Sequence, residues 1–376
     1  MPDIGGLPTA HIVVGVVMTQ FQFETASHTE LVRGQCSLAV DRNGAPRIAY
    51  TIKDGHVVVA SSDGGTWTRE RLGGPLATAG DEERVWLQLD SAGNPHLGYI
   101  EESTRRLIYG VHSPDLGWKF EPVPTHQPPH EPMVFGISFA LHPGGPGNAA
   151  LRDTPHFAFE DQSIGCLSYV RKVGDAWKVS RVAESLNFGD AGSSRTGQST
   201  SLCFNESASL QFAYVETYEV TPMTVVHVKR ALSVTDGTFG AEQDVQKGQY
   251  VAGRTAIASR TPQTFVAYCD VSNDALKAGT FDHDGNAIVD VVDSVTGRTS
   301  PVLAQDPTRG SELSRQLRIA YADDGEIKLA RWEPLAGWTV EVVDPGGGEM
   351  PCLAYDSHGN AHMAYSVGQS LRYARG

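Results

Sequence analysis

Five consecutive repeats of this chain place a carboxylate at one equivalent position, two residues after a recurring aromatic: Glu101, Asp161, Glu216, Asp270 and Asp323. Carboxylates gathered on one face can orient sugar hydroxyls, take a divalent cation, or divide into proton donor and proton acceptor where their surroundings separate the pKa values. The same positions suit a structural task, in which each carboxylate accepts the amide hydrogens of its own turn or of a neighbouring loop. Crowded carboxylates repel, and the segments between repeats supply cations: Arg33, Arg84, Arg195, Arg254 and Arg298. A guanidinium fork matches the carboxylate or sulfate of a substrate, so arginines and acids together form a candidate substrate-binding set. Taken singly, loop arginines more often make surface ion pairs.

Proton-transfer groups are fewer. The segment His126-Gln127-Pro128-Pro129-His130-Glu131 carries two imidazoles on a stretch that its prolines keep extended. Their spacing of four mimics a metal pair on a helix, but on such a loop the rings need not converge, and no metal ligand is assigned. Tyr218, on the loop from Glu216 to Thr224, offers a phenol or a stacking platform. His126, His130, Tyr218 and Glu216 are therefore the catalytic candidates. His96, His156 and His362 each precede the recurring aromatic by three residues, which points to a repeated packing or hydrogen-bonding role. The chain has no glycine-rich phosphate loop, nucleophile elbow or zinc-protease motif, which disfavours nucleotide and serine-hydrolase chemistry.

A repeat must position these residues. A small residue followed by an aromatic closes a strand at Tyr50, Tyr99, Phe159, Tyr214, Tyr268, Tyr321 and Tyr365, with spacings of 49, 60, 55, 54, 53 and 44. Spacing of this size is that of propeller blades. The stretch Ser37 to Leu72 shows the whole unit: four short strands divided by turns at Asp41 to Pro46, Lys53 to Gly55 and Asp63 to Gly65. In four units a polar residue sits nine before the aromatic (Asp41, Asp90, Asn205 and Asp356), which fixes one hairpin length. Pro143 to Arg152 and Pro307 to Gln316 are insertions in that hairpin. An aromatic opens the fourth strand at Trp67, Trp118, Trp177, Phe239 and Trp338.

The turn before it, as in Asp63-Gly64-Gly65-Thr66-Trp67 and Asp115-Leu116-Gly117-Trp118, resembles the Asp-box turn of sialidase-type propellers, although Ser61 to Trp67 is one residue short of that pattern. The resemblance covers a turn in a few repeats. It implies an architecture in which the tryptophan packs between sheets, and it carries no active site.

The expected fold is all-β: one seven-bladed β-propeller of four-stranded blades spanning residues 1–376. The seventh unit ends after its third strand, and counting back 23 residues from Asp41 places an N-terminal strand at about Met18 to Phe23 to complete it. Pairing the termini removes open sheet edges. In such a ring the loops between second and third strands share a face with the loops between blades, and a ligand is expected at the centre of that face.

A net charge of −14 argues against a nucleic-acid partner. The longest N-terminal apolar run, Ile12 to Met18, is far too short to span a membrane and lacks a basic leader. The expected compartment is the cytoplasm if Met1 is the native start and outside the cell if a leader was removed. A monomer is expected, with no resident cofactor beyond the cation that the axial carboxylates suit. Cys36, Cys166, Cys203, Cys269 and Cys352 fall on strands of five different units at no metal or redox spacing, and buried free thiols are expected. Cys36 and Cys352 belong to first strands of adjacent units.

Two functional classes follow. One is a carbohydrate-active enzyme, a lyase or glycosidase taking an acidic glycan at the axial face. The other is a noncatalytic glycan-binding or protein-binding propeller. Irregular loops at His126 to Glu131 and Ala183 to Gly197 favour the first.

Overall fold

The computed structural model describes residues 20–28, 32–77, 84–125, 134–145, 148–185, 194–218, 223–248, 250–310 and 312–376. They form seven antiparallel sheets of four strands, six of them in plain sequence order. The first strands, which line the axis, are Val32–Val40, Trp86–Leu89, Val134–Leu141, Ser194–Phe204, Val251–Arg260, Val302–Gln305 and Glu349–Tyr355, for blades 1 to 7 in turn. The seventh sheet adds the N-terminal strand Gln22–Ser27 outside Ser370–Arg375, in register from Gln22 opposite Arg375 to Thr25 opposite Arg372 and then, past a one-residue slip, with Ser27 opposite Leu371. This pairing closes the ring. Trp67 Nε1 donates to Glu24 at 2.7 Å and ties the closing strand to blade 1.

The strand starts four residues later than the back-count places it, and Met18 lies outside the described residues. The reason is the link. Only residues 28–31 join the closing strand to blade 1, whereas residues 72–85 separate Arg71 from Trp86 in the unit used as the ruler.

Seven apolar clusters lie between successive blades, one per junction. The recurring aromatics are their centres, each at most 1 % exposed. The fourth-strand aromatic reaches back to the preceding blade: Trp67 meets Tyr373, Trp177 meets Tyr109 and Phe239 meets Tyr169, at 5.2, 5.6 and 5.9 Å between ring centres. The small residue before each aromatic lets the neighbouring sheet approach. At Gly98 a Cβ would stand 2.4 Å from Phe157, so alanine fits there only if that ring moves.

Between first and second strands, Asp41, Asp90, Asn205 and Asp356 each accept the amide hydrogens of residues two and four further on, at 2.7–3.0 Å. This is the mechanism behind the constant spacing of nine. Helix is minor among the described residues: the insertions carry a 3-10 turn at Ala149–Leu151 and a four-residue α-helix at Leu313–Gln316, and a second 3-10 turn at Val271–Asn273 follows the second strand of blade 5.

Candidate functional site

The first strands are bulged where they enter the ring. Their pairing with the second strand slips between Arg33 and Ser37, Phe135 and Ser138, Gln198 and Ser201, Ala252 and Ala256, and Glu349 and Cys352. A residue of positive φ sits in the slip at Gly34, Gly136, Ser199 and Met350, at 50–65°. Bulges re-aim side chains, and here they turn the segment before the regular strand towards the axis. Pairing with the small residue before each aromatic aligns Ser37, Trp86, Ser138, Ser201, Ala256, Val302 and Cys352 as one layer. Two residues earlier stand Arg84 in blade 2 and Arg254 in blade 5. They occupy equivalent positions, three blades apart in a ring of seven.

Both arginines line an axial cavity of about 520 Å³ to which all seven first strands contribute. The Arg84 guanidinium lies 4.0 Å from the centre of the Trp86 ring, and Trp86 Nε1 donates to the Ile137 carbonyl at 2.7 Å, which fixes the indole. Arg84 Nε is buried with no hydrogen-bond partner among the described residues, and burial lowers the pKa of this guanidinium. Hydroxyls of Ser138, Thr200 and Ser201 and the amide of Gln88 complete a wall suited to a polyhydroxylated ligand.

The row of five carboxylates is held within the blades. Glu101 accepts from the Thr104 hydroxyl, and Asp161 from the amide and hydroxyl of Ser163. Asp270 accepts from Lys277 Nζ at 2.7 Å, Gln246 at 2.7 Å and Asn273 at 2.9 Å. Asp323 accepts from Lys328 Nζ at 2.7 Å and from the amide and hydroxyl of Thr296 at 2.7 and 2.9 Å. Burial alone would raise both of these carboxyls; the hydrogen bonds and the lysines outweigh it and lower them. Their cations thus come from their own third strands. Of the inter-blade arginines, Arg195 pairs with Glu160 at 2.8 Å and Arg298 donates to the Tyr250 hydroxyl. The Arg33 side chain, His126 and His130 lie outside the described residues.

Blade 4 gathers the proton-transfer groups that are described. Glu216 accepts from Ser194 Oγ at 2.6 Å and from the Tyr218 hydroxyl at 3.0 Å, and His227 Nε2 stands 3.2 Å from it. The other ring nitrogen of His227 is 3.0 Å from Asp244. Burial would raise Glu216, but the hydrogen bonds from His227, Ser194 and Tyr218 hold it below the usual carboxylate range. Burial and the adjacent Glu216 push the Tyr218 phenol up to about 12. At neutral pH this pair is an ionised acceptor beside a phenol that keeps its proton. His227 escaped the sequence reading, yet a signal exists: it stands opposite Tyr214, where Lys277 stands opposite Tyr268 and Lys328 opposite Tyr321.

His96, His156 and His362 each bond through Nδ1 to a third-strand tyrosine (Tyr109, Tyr169 and Tyr373) at 2.5–2.6 Å. Burial lowers all three imidazoles. Among the described residues no group of three or more His, Cys, Asp or Glu side chains converges as a metal site, and no helix is long and apolar enough to cross a membrane.

No family model matches the chain, and no curated protein does. Solved structures do. An ulvan lyase of a new polysaccharide lyase family, bound to a glucuronate and sulfated-rhamnose repeat, superposes with a TM-score of 0.59 at 10 % identity, covering 93 % of this chain and 94 % of its own. A catalytically inactive virginiamycin B lyase from Staphylococcus aureus, with quinupristin, gives 0.56 at 12 %, covering 94 % and 99 %. A lectin in complex with α-methyl fucoside gives 0.50 at 11 %, covering 84 % and 99 %. At these identities the likeness is one of fold. The chain is similar to propellers that include lyases and lectins.

Proposed function

We propose that this propeller is a carbohydrate-active protein that takes an acidic glycan at its axial cavity and acts on it as a lyase or glycosidase. The observation that carries the reading is the pair Arg84 and Arg254, at equivalent positions of blades 2 and 5, lining one cavity with Trp86 and a set of hydroxyls. Its volume lies in the range of small-ligand sites. The guanidinium forks hold the carboxylate or sulfate, and serine and threonine hydroxyls meet those of the sugar.

For a uronate the arginines also lower the barrier to elimination, since neutralising the carboxylate stabilises the charge that develops when the proton beside it leaves. A base, for which His126 and His130 are the proposed candidates, takes that proton as the carbon–hydrogen bond breaks, a carbon–carbon double bond forms, and the glycosidic oxygen departs with a proton from an acid. Glu216, Tyr218 and His227 are not among the residues lining the axial cavity, so Tyr218, which keeps its proton through the neutral range, is the proposed donor for a glycan that extends from the cavity to blade 4, with Glu216 and His227 positioning it. Arg33, Arg195 and Arg298, with Glu101, Asp161, Asp270 and Asp323, are the proposed outer contacts of the glycan.

A second reading, binding without chemistry, is favoured by one observation: Asp270 and Asp323, the counterparts of Glu216 in the next two blades, are engaged by lysines of their own sheets. One experiment separates the two. The protein is incubated with neutral and uronate-containing oligosaccharides, product masses are followed, and melting is read on the same samples. Elimination gives a product one water lighter than hydrolysis. Stabilisation without product leaves the binding reading, and no response to any acidic glycan removes both. Arg84→Gln and Arg254→Gln are each expected to weaken acidic-glycan binding about ten- to hundredfold, the worth of a charged hydrogen bond.

A further inference from the structure

The layer that faces the axis also joins neighbouring blades, at four junctions through a polar side chain. Ser37 Oγ accepts the Leu87 amide of blade 2 at 3.0 Å, Trp86 donates to Ile137 of blade 3, Ser138 Oγ accepts the Leu202 amide of blade 4 at 3.0 Å, and Ser201 meets Thr255 of blade 5 at 2.9 Å. At the seam between blades 7 and 1 the layer residue is Cys352, and what it meets is Cys36. The sulfurs are 3.0 Å apart, and both lie near the Ala364 carbonyl, at 3.2 and 3.4 Å. Both residues are buried. The remaining cysteines have no such partner: Cys166 meets a serine hydroxyl, and Cys269 a backbone carbonyl.

We propose that Cys36 and Cys352 are a modification site, a thiol pair that a hydroperoxide converts to a disulfide across the seam of the ring. The pair joins residues 316 apart in sequence on adjacent inner strands, beside the sheet that the N-terminal strand completes. The pair lies just behind the wall of the axial cavity, from which a small peroxide would reach it. Ser37, Leu353 and Arg84 all line the axial cavity, and the first two follow the cysteines directly in the chain.

The chemistry balances. The Cys36 sulfur attacks one peroxide oxygen, the oxygen–oxygen bond breaks, and a sulfenic acid forms with release of water or an alcohol. The Cys352 sulfur then attacks that sulfur and expels a second water. Two thiol hydrogens are lost, sulfur is oxidised and peroxide oxygen is reduced. Arg84 supplies positive charge beside the attacking sulfur, which favours its thiolate. The hydrogen bond to Cys352 and burial act against the thiolate and push Cys36 well above an ordinary thiol.

The test uses the full chain treated with hydrogen peroxide, analysed by intact mass, non-reducing peptide mapping and thermal melting. The expected result is the loss of two hydrogens, a Cys36–Cys352 cross-linked peptide, and a melting temperature raised by about 5 °C that dithiothreitol reverses. Cys36→Ser and Cys352→Ser, made separately, are each expected to abolish the cross-link and the shift while leaving the reduced melting temperature nearly unchanged. Oxygen added to either cysteine without a cross-link would overturn the proposal. So would an absence of reaction, or the same shift in both serine variants.

Discussion

Six of the seven junctions of the ring are made in two chemically different ways, and the two kinds occupy different arcs. At the junctions of blade 7 with 1, 2 with 3, and 3 with 4, a histidine of the second strand bonds a tyrosine of the third, and an aromatic from the next blade's fourth strand packs on that tyrosine. At the junctions of 4 with 5, 5 with 6, and 6 with 7, the recurring tyrosine instead bonds a fourth-strand polar residue of the preceding blade: Tyr268 to Gln246 at 2.5 Å, Tyr321 to Asp293 at 2.5 Å and Tyr365 to Asp344 at 2.7 Å. A cation opposite that tyrosine, Lys277, Lys328 or Arg372, completes the network. One arc is held by ring packing and the other by charge neutralised in half-buried surroundings. Blade 4 lies at the boundary. There the cation position opposite the recurring tyrosine is taken by His227, in contact with Glu216 and Asp244, and this is where the described proton-transfer groups collect.

Blade 7 is where the arcs meet on the other side, so its closing strand is the most severe test of the ring. Deleting residues 1–27 bares the edge of Ser370–Arg375 and removes the partner of Trp67. The expected loss exceeds the roughly 5 kcal/mol that bounds most single substitutions, with the elution peak of the full chain replaced by aggregates in size-exclusion chromatography. Unchanged melting of the truncated chain would mean that the two arcs hold the ring without the strand.

In the aromatic arc, Phe157 stacks on Phe139 with ring centres 4.6 Å apart and is fully buried. Phe157→Ala is expected to cost about 3–5 kcal/mol in denaturant unfolding. In the ionic arc, Lys328→Met strands Asp323 with the amide and hydroxyl of Thr296 alone. The loss expected is smaller, about 2–3 kcal/mol, because the lysine keeps some contact with water. Adding Asp323→Asn should recover part of it. If Lys328→Met costs no more than an exposed ion pair, the ionic arc is not held by its charges.

The aromatic arc was largely legible in the sequence, and the ionic arc was not. Small-then-aromatic pairs and turn aspartates sit at fixed spacing because each fills the same geometric place in a hairpin of fixed length. Lys277 and Lys328 escaped notice because they follow their tyrosines by nine and seven residues, and His227 follows Tyr214 by 13. Turns of different length separate positions that the sheet makes equivalent. The same irregularity hid the start of the first strands, where bulges break the alternation of apolar and polar residues. Arg84 and Arg254 were visible as inter-blade arginines, but so were Arg195 and Arg298, which meet Glu160 and Tyr250 instead. Only the register of first strand against second strand distinguishes the pair that lines the cavity, two residues before Trp86 and Ala256.

The smallest effect per residue distinguishes the arcs by pH. His96, His156 and His362 are buried with lowered pKa values, while in the unfolded chain each titrates near the ordinary value of about 6.5. Between those values the unfolded state binds more protons, so stability is full above about 6.5 and falls as the pH drops through that range towards the folded-state values. The ionic arc behaves otherwise. Asp270, Asp323 and Asp344 have lowered pKa values, so their contribution persists through the histidine window and is lost only below about 4, as the acids of the unfolded chain take up protons. Melting curves are therefore expected to decline in two separate stages on acidification. The triple variant His96→Gln, His156→Gln, His362→Gln should flatten the upper stage and leave the lower one in place. An upper stage that survives the triple variant would move the pH response to other groups, with His142, whose imidazole burial also lowers and whose ring lies 5.6 Å from that of His156, the first to test.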